Sequence, residues 1–246
     1  MRIRGPVLVA CAMAMVPPAA AQPLFAQDGF LFNRPLVQLT VRAGPVLHTA
    51  RSDLFDFITS ELTLERSDFR APALGGEFAV AVHPRLDVSL GVGWSSTERR
   101  SESAHWYGTD DLPIVQETTL RVVPVSLSTR FYPWTRGTTV SNLAWLPART
   151  TPYIGAGADM TWYRFGMEGE FVHEDLRITH QNYRSSGRAT TVHARAGVDH
   201  WFSPRVALNL EGRYTHGSAS PTEDFRTYDS LDLGGVQAGI GLSVRW

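Results

Sequence analysis

Val236-Gln237-Ala238-Gly239-Ile240-Gly241-Leu242-Ser243-Val244-Arg245-Trp246 is the stretch whose reading decides the fold. Val236, Ala238, Ile240, Leu242, Val244 and Trp246 are apolar, and the residues between them are polar or small. Successive side chains of a strand point to opposite faces. The segment therefore reads as a strand with one greasy side and one side of Gln237, Gly239, Gly241, Ser243 and Arg245. A strand of this length and pattern, ending on an aromatic, suits a barrel that crosses a membrane. There the outward face meets lipid and the last aromatic sits at the lipid–water boundary.

Working back from that strand, the same period of two recurs over residues 36–47, 74–83, 86–96, 118–132, 152–165, 190–202 and 206–216. The cleanest run sets Leu86, Val88, Leu90, Val92 and Trp94 against Asp87, Ser89, Gly91, Gly93 and Ser95. Eight such strands make an even number, and about 9–11 tilted residues suffice to cross a hydrocarbon layer. A bilayer cannot satisfy free strand edges, so the sheet is expected to close. His83-Pro84-Arg85 and Ser203-Pro204-Arg205 read as tight turns, while most other connections are long and polar. Short inner turns alternating with long outer loops are the asymmetry of membrane barrels. Residues 133–151 break the alternation, and Trp134 and Trp145 within them predict a segment lying against the rim.

Residues 1–21 read as a signal peptide: Met1-Arg2-Ile3-Arg4 is basic, residues 7–16 are apolar, and Ala19-Ala20-Ala21 offers a cleavage site. Residues 22–35 are then an N-terminal periplasmic segment and residues 36–246 the barrel. Cys11 is the one cysteine, and it falls in the segment to be removed, so no disulfide or thiolate site is expected. Leu8-Val9-Ala10-Cys11 looks like a lipoprotein box but lies too early to leave an apolar core. A net charge of -1 offers no argument for nucleic acid, and every cation among the Lys and Arg is Arg. Beyond residue 21 no run approaches the roughly 20 apolar residues of a membrane helix, so any crossing is by strands.

The inward set of these strands holds Arg42, Arg130, Arg195, Arg213 and Arg245, and also Glu77, Asp87, Asp159, Asp199 and Glu211. An eight-stranded barrel is just wide enough for side chains to fill. Balanced charges there predict a salt-bridge network that plugs the lumen, since buried charges must be paired. The competing reading is a small channel for ions or solutes. Phe131, Tyr132, Tyr153, Trp201, Phe202 and Trp246 are assigned to an inner aromatic girdle, and Trp94, Trp162, Tyr163 and Tyr214 to an outer one. A soluble lipocalin-type barrel would reverse the faces, with the charges outward.

Val123-Pro124-Val125-Ser126-Leu127, running on to Arg130-Phe131-Tyr132-Pro133, together with Pro152-Tyr153-Ile154-Gly155-Ala156-Gly157 and the last strand, resembles the small outer-membrane β-barrel superfamily. These are the OmpA/OmpX-like and opacity-type proteins, in which Phe is commoner than Trp at the last position. The resemblance implies an all-β, eight-stranded antiparallel transmembrane β-barrel in a Gram-negative outer membrane. It also implies insertion by the barrel-assembly machinery through the C-terminal strand, contact with outer-membrane lipids and lipopolysaccharide, a monomeric state and no cofactor. The implied role is structural, adhesive or surface-binding through outer loops, because the fold itself hosts many functions.

His216-Gly217-Ser218 is similar to the His-x-Ser element of outer-membrane lipid A deacylases, with Ser218 as nucleophile, His216 as base and Glu223 or Asp229 as the acid. Ala219 stands where that family has Asn, a loss of an oxyanion donor. The expected chain is therefore not an enzyme, with a deacylase-like hydrolase as the alternative. The other histidines show no metal-ligand spacing, and His173-Glu174-Asp175 reads as a solvated loop. Residues 101–111 and 165–187 are expected as polar outer loops that carry any binding surface.

Overall fold

The computed structural model describes residues 30–107, 113–140, 144–172 and 177–246. The signal-peptide reading, Cys11, and His173-Glu174-Asp175 lie outside the described residues. Eight antiparallel strands form a closed barrel: β1 (Val37–His48), β2 (Arg70–His83), β3 (Leu86–Tyr107), β4 (Pro113–Phe131), β5 (Thr150–Val172), β6 (Ile178–Trp201), β7 (Val206–His216) and β8 (Gly235–Arg245). Closure is made by β1 on β8, where Leu39 pairs Val244 and Ala43 pairs Ile240. The register brings Leu39, Phe78, Leu90, Leu127, Ala158 and Val192 together on the outer face.

From the turn end to just below the level of Trp94, Trp162 and Tyr214, the outward positions of all eight strands carry no Asp, Glu or Arg. Leu90, Leu127, Ile154, Ile240 and Leu242 stand exposed there. Ten residues of tilted strand give a band of roughly 25 Å, the height of a membrane barrel's apolar surface. With the charges inside and the aliphatics outside, the soluble lipocalin arrangement is excluded.

The strands β3, β4, β5 and β6 contain 22, 19, 23 and 24 residues, about twice what the band needs. Most of residues 101–107 and 165–172, and residues 178–187, are thus ladder extensions projecting past the band, not the loops expected from their polarity. Polarity misled because a strand outside lipid turns its polar side chains outward to water and its apolar ones inward, the reverse of the band. Onto the inward face of this projection pack α1 (Asp53–Glu61), a short 3-10 turn (Arg66–Phe69) and residues 217–234. Gly217, at φ 155°, turns the chain off the end of β7, a conformation open to glycine.

At the opposite, turn end, residues 137–140 pair with 144–147 as a small hairpin. Trp145 is buried by it and exchanges backbone hydrogen bonds with Leu31 at 2.9 and 2.7 Å. The long connection therefore covers the mouth, as its tryptophans suggested, although Trp134 itself remains exposed.

Candidate functional site

All ten charges assigned to the interior lie inside the barrel, but they pair less symmetrically than five against five. Glu77 on β2 is the hub: Arg42 reaches it at 2.8 Å, Arg130 at 2.5 Å, and Arg195 also bonds it. Arg42 and Arg195 share Glu211, the latter at 3.6 Å. Asp159 is held by Arg213 at 2.6 Å. Asp199 lies 4.0 Å from Arg130 and accepts from Asn209 Nδ2 at 2.6 Å and Gln38 Nε2 at 3.2 Å. Arg130, Asp199 and Asn209 are wholly buried. Each carboxylate is thus supplied with donors, the condition for keeping charge away from water.

Two members behave differently. Asp87 takes its cation from outside the expected set: Arg136, in the connection that caps the turn end, donates to it at 2.8 Å. Arg245 forms no ion pair among the described residues; its guanidinium lies 3.3 Å from the Trp201 ring centroid and 4.9 Å from that of Trp145, while Nε donates to the Pro204 carbonyl at 2.8 Å. Planar guanidinium groups stack well on aromatic faces. The anomalous length of residues 133–151 was the signal that an extra partner for the lumen could come from there.

The girdle assignment needs correction at four positions. Trp94, Phe131, Trp162, Phe202, Tyr214 and Trp246 stand exposed on the outward side, whereas Tyr132, Tyr153, Tyr163 and Trp201 point inward and are buried. Period two decides this, because the outward place beside each is taken by Phe131, Ile154, Trp162 and Phe202. Inside, Tyr132 OH donates to Asp87 at 3.1 Å, Tyr153 OH to Glu211 at 2.7 Å, and Trp201 Nε1 to Thr151 Oγ1 at 3.1 Å. Buried Tyr and Trp need such partners for their polar ends.

His216 and Ser218 are both exposed at the head of β7, and His216 makes no hydrogen bond among the described residues. Glu223 accepts from Ser186 Oγ at 3.0 Å, and among the described residues neither Glu223 nor Asp229 is hydrogen-bonded to the His216 ring. A base needs both an orienting acid and a nucleophile within reach. A different Asp–His–Ser order occurs inside the lumen: His193 Nδ1 is 3.0 Å from Asp159 and Nε2 is 3.0 Å from Ser128 Oγ. All three are buried, and the arrangement ties β4, β5 and β6 together.

Above the charges the interior becomes apolar. Leu120, Val122, Tyr163, Phe165 and Met167 on β4 and β5 enclose Leu54, Phe55 and Ile58 of α1 with Phe225 and Leu231. The Phe165 ring meets Phe225 at 5.2 Å and Phe55 at 6.2 Å, both edge-on. Between this roof and the Glu77 hub remains a cavity of about 90 Å³, lined by Arg42, Glu77, Glu211, Arg213, Val122 and Leu233. At the far tip a second cavity of about 160 Å³ lies among Phe57, Leu62, Trp106, Met167 and Phe171, with Glu61 and Glu170 at its edge.

An apolar outer band, a paired polar interior and a closed sheet define a small membrane-spanning β-barrel with a filled lumen. No protein-family model matches the chain, and no curated protein matches it. Among solved structures it is similar to a major outer membrane protein from Thermus thermophilus, at 13% identity and TM-score 0.46, covering 85% of this chain and 99% of that one. Neisserial surface protein A is similar at 10% identity and TM-score 0.44, over 86% and 97% of the two chains. The outer membrane protein W of E. coli is similar at 18% identity and TM-score 0.39, over 87% and 100%.

Proposed function

We propose that the protein is an exported outer-membrane barrel of a Gram-negative envelope that serves as a structural or surface-binding element through its hairpin end. One observation carries the reading: the lumen is filled twice, by the Glu77 ion network and by the Phe165 core, while the hairpin end carries a folded module of its own. A filled lumen supports anchoring over conduction. The cavity among Phe57, Trp106 and Phe171 is the concave feature of that module, and loops and tips on a rigid barrel are where binding surfaces usually sit. Lipids and lipopolysaccharide surround the band, β8 presents the alternating pattern suited to the assembly machinery, and no cofactor enters.

The test begins with mobility of the outer-membrane protein on gels, boiled and unboiled, followed by planar-bilayer recording. A boiling-dependent shift with no discrete conductance steps is expected. A protein found in the periplasmic extract without a shift overturns the membrane reading, and steady conductance overturns the filled-lumen reading. Whole-cell adhesion then compares the unaltered protein with Phe57→Ser/Trp106→Ser, which is expected to bind surfaces less. Overexpression leaves the lipid A mass unchanged; a mass loss abolished by Ser218→Ala would install the deacylase instead.

A further inference from the structure

Three arginines stand side by side on the outward face, immediately past the apolar band. Arg121 on β4 is directly opposite Arg164 on β5, and Arg188 on β6 is opposite Trp162. Opposed Cβ atoms on antiparallel strands lie about 4.5–5.5 Å apart and diagonal ones about 7–8 Å. All three side chains are exposed, and among the described residues none takes part in a hydrogen bond or ion pair. Together with Val123, Trp162 and Ser186 they line a groove of about 510 Å³ open to the outer surface.

Of the outward carboxylates nearby, Glu98 on β3, opposite Thr119 and so diagonal to Arg121, is exposed and forms no ion pair with it, and two others are engaged elsewhere. Glu223 accepts from Ser186 Oγ at 3.0 Å, and Glu168, further from the band, accepts from Asn182 Nδ2 at 2.7 Å. Arg184, opposite Gly166, extends the cationic strip and donates to Asn182 Oδ1 at 2.8 Å. Like charges set directly opposite each other destabilise a strand pair. Inside the same barrel, clustered arginines converge on Glu77; on the outside, Arg121 and Arg164 converge on nothing in the described chain.

Their height supplies the second argument. Trp162 and Trp94 mark the top of the band, the level at which interfacial tryptophans sit. Below the arginines run Val125, Met160 and Val192, exposed to hydrocarbon. An occupant must therefore be anionic at the headgroup level and aliphatic beneath it. Guanidinium forks bind phosphate oxygens in pairs, which a hydrated ammonium does not.

We infer that Arg121, Arg164 and Arg188 form a binding site for the phosphorylated headgroup of an outer-leaflet glycolipid, the lipid A moiety of lipopolysaccharide. This rests on the membrane-barrel reading above. The site faces lipid, not the lumen, and is distinct from the Phe57–Trp106 cavity at the tip.

The full chain, refolded in detergent micelles, is titrated with phosphorylated lipid A and with the same lipid after dephosphorylation. The unaltered protein is expected to bind the phosphorylated lipid at least tenfold more tightly. Arg121→Gln/Arg164→Gln/Arg188→Gln is expected to lose that preference, while Arg85→Gln at the turn end keeps it. Equal binding of the two lipids by the unaltered protein, or an undiminished preference in the triple variant, overturns the site. Inorganic phosphate competing as strongly as the lipid would also overturn it, assigning the arginines to a soluble anion. The boiling-dependent gel shift is run on each sample: its absence in the unaltered protein refutes the barrel reading, while its presence without lipid discrimination refutes the site alone. The two-lipid comparison needs no substitution, so a variant that fails to refold leaves the test decisive.

Discussion

Two halves of the same strands obey opposite rules. In the band, β5 turns Asp159 and Thr161 inward and Ala158, Met160 and Trp162 outward. One step further it turns Tyr163, Phe165 and Met167 inward and Arg164 and Glu168 outward. β4 inverts at the matching height, from Ser126 inside and Val125 outside to Val122 inside and Arg121 outside. The backbone ladder runs on unbroken between Val122–Tyr163 and Val123–Trp162; only the surrounding solvent changes. Lipid demands aliphatic side chains outside and leaves the polar ones to pair within. Water demands the reverse, and the projecting hairpins bury a core as a soluble sandwich does. The inversion marks the membrane boundary from the chain's own residues.

Breaking the lower half is expected to have the largest effect. Glu77→Ala leaves Arg42, Arg130 and Arg195 without their shared carboxylate. Stranding buried charge typically costs about 3–5 kcal/mol, so the temperature of gel-mobility loss should fall sharply. Phe165→Ala empties the upper core at a cost of about 3 kcal/mol, confined to the hairpin end. Limited proteolysis should then cut residues 49–69 or 217–234 readily while the boiling shift survives; a joint collapse would mean that the halves are one cooperative unit.

The boundary itself can be located by one charge. Leu127→Arg, on the outward face within the band, should cost about 2–4 kcal/mol in vesicle-refolding equilibria. Glu98→Arg, outward on β3 beyond Trp94, should change stability by less than about 0.5 kcal/mol. Similar costs at both positions would misplace the boundary.

The smallest effect concerns acid. Desolvation works to raise the Asp53 carboxyl, but the N–H groups of Asp229, Ser230 and Leu54 outweigh it and hold the group below its ordinary 3.8. Asp229 N donates at 2.6 Å and Ser230 N at 3.0 Å, pinning residues 217–234 to the start of α1. A depressed acid stabilises above its unfolded value and loses that contribution as pH falls through the folded one. Protease nicking of residues 217–234 should therefore rise modestly as pH drops below 3.8, and Asp53→Asn should show the raised level at neutral pH.

The barrel was legible because a strict period of two survives in all eight strands, and Leu86 to Trp94 or Val236 to Trp246 state it without ambiguity. Inward parity likewise identified all ten lumen charges, because side-chain direction in a strand follows from position alone. Tyr132, Tyr153, Tyr163 and Trp201 were misassigned for want of applying the same rule, since each neighbours a residue that claims the outward place. Arg136 escaped it because a connection has no parity. The lengths of β3 to β6 were hidden as well: past the lipid boundary apolar and polar residues exchange faces, so the pattern looks like polar loop.

By itself the sequence determined strand number, the face each residue occupies and the sign of the interior, because these are local consequences of backbone geometry and hydrophobic patterning. Tertiary structure alone decided who pairs with whom. Glu77 gathers three arginines from three other strands, Arg245 lies between two tryptophans, and Arg121 meets Arg164 on the outer wall. Those meetings depend on strand order, register and closure, which bring residues as far apart as Thr40 and Ser243, 203 positions, into hydrogen-bonding distance.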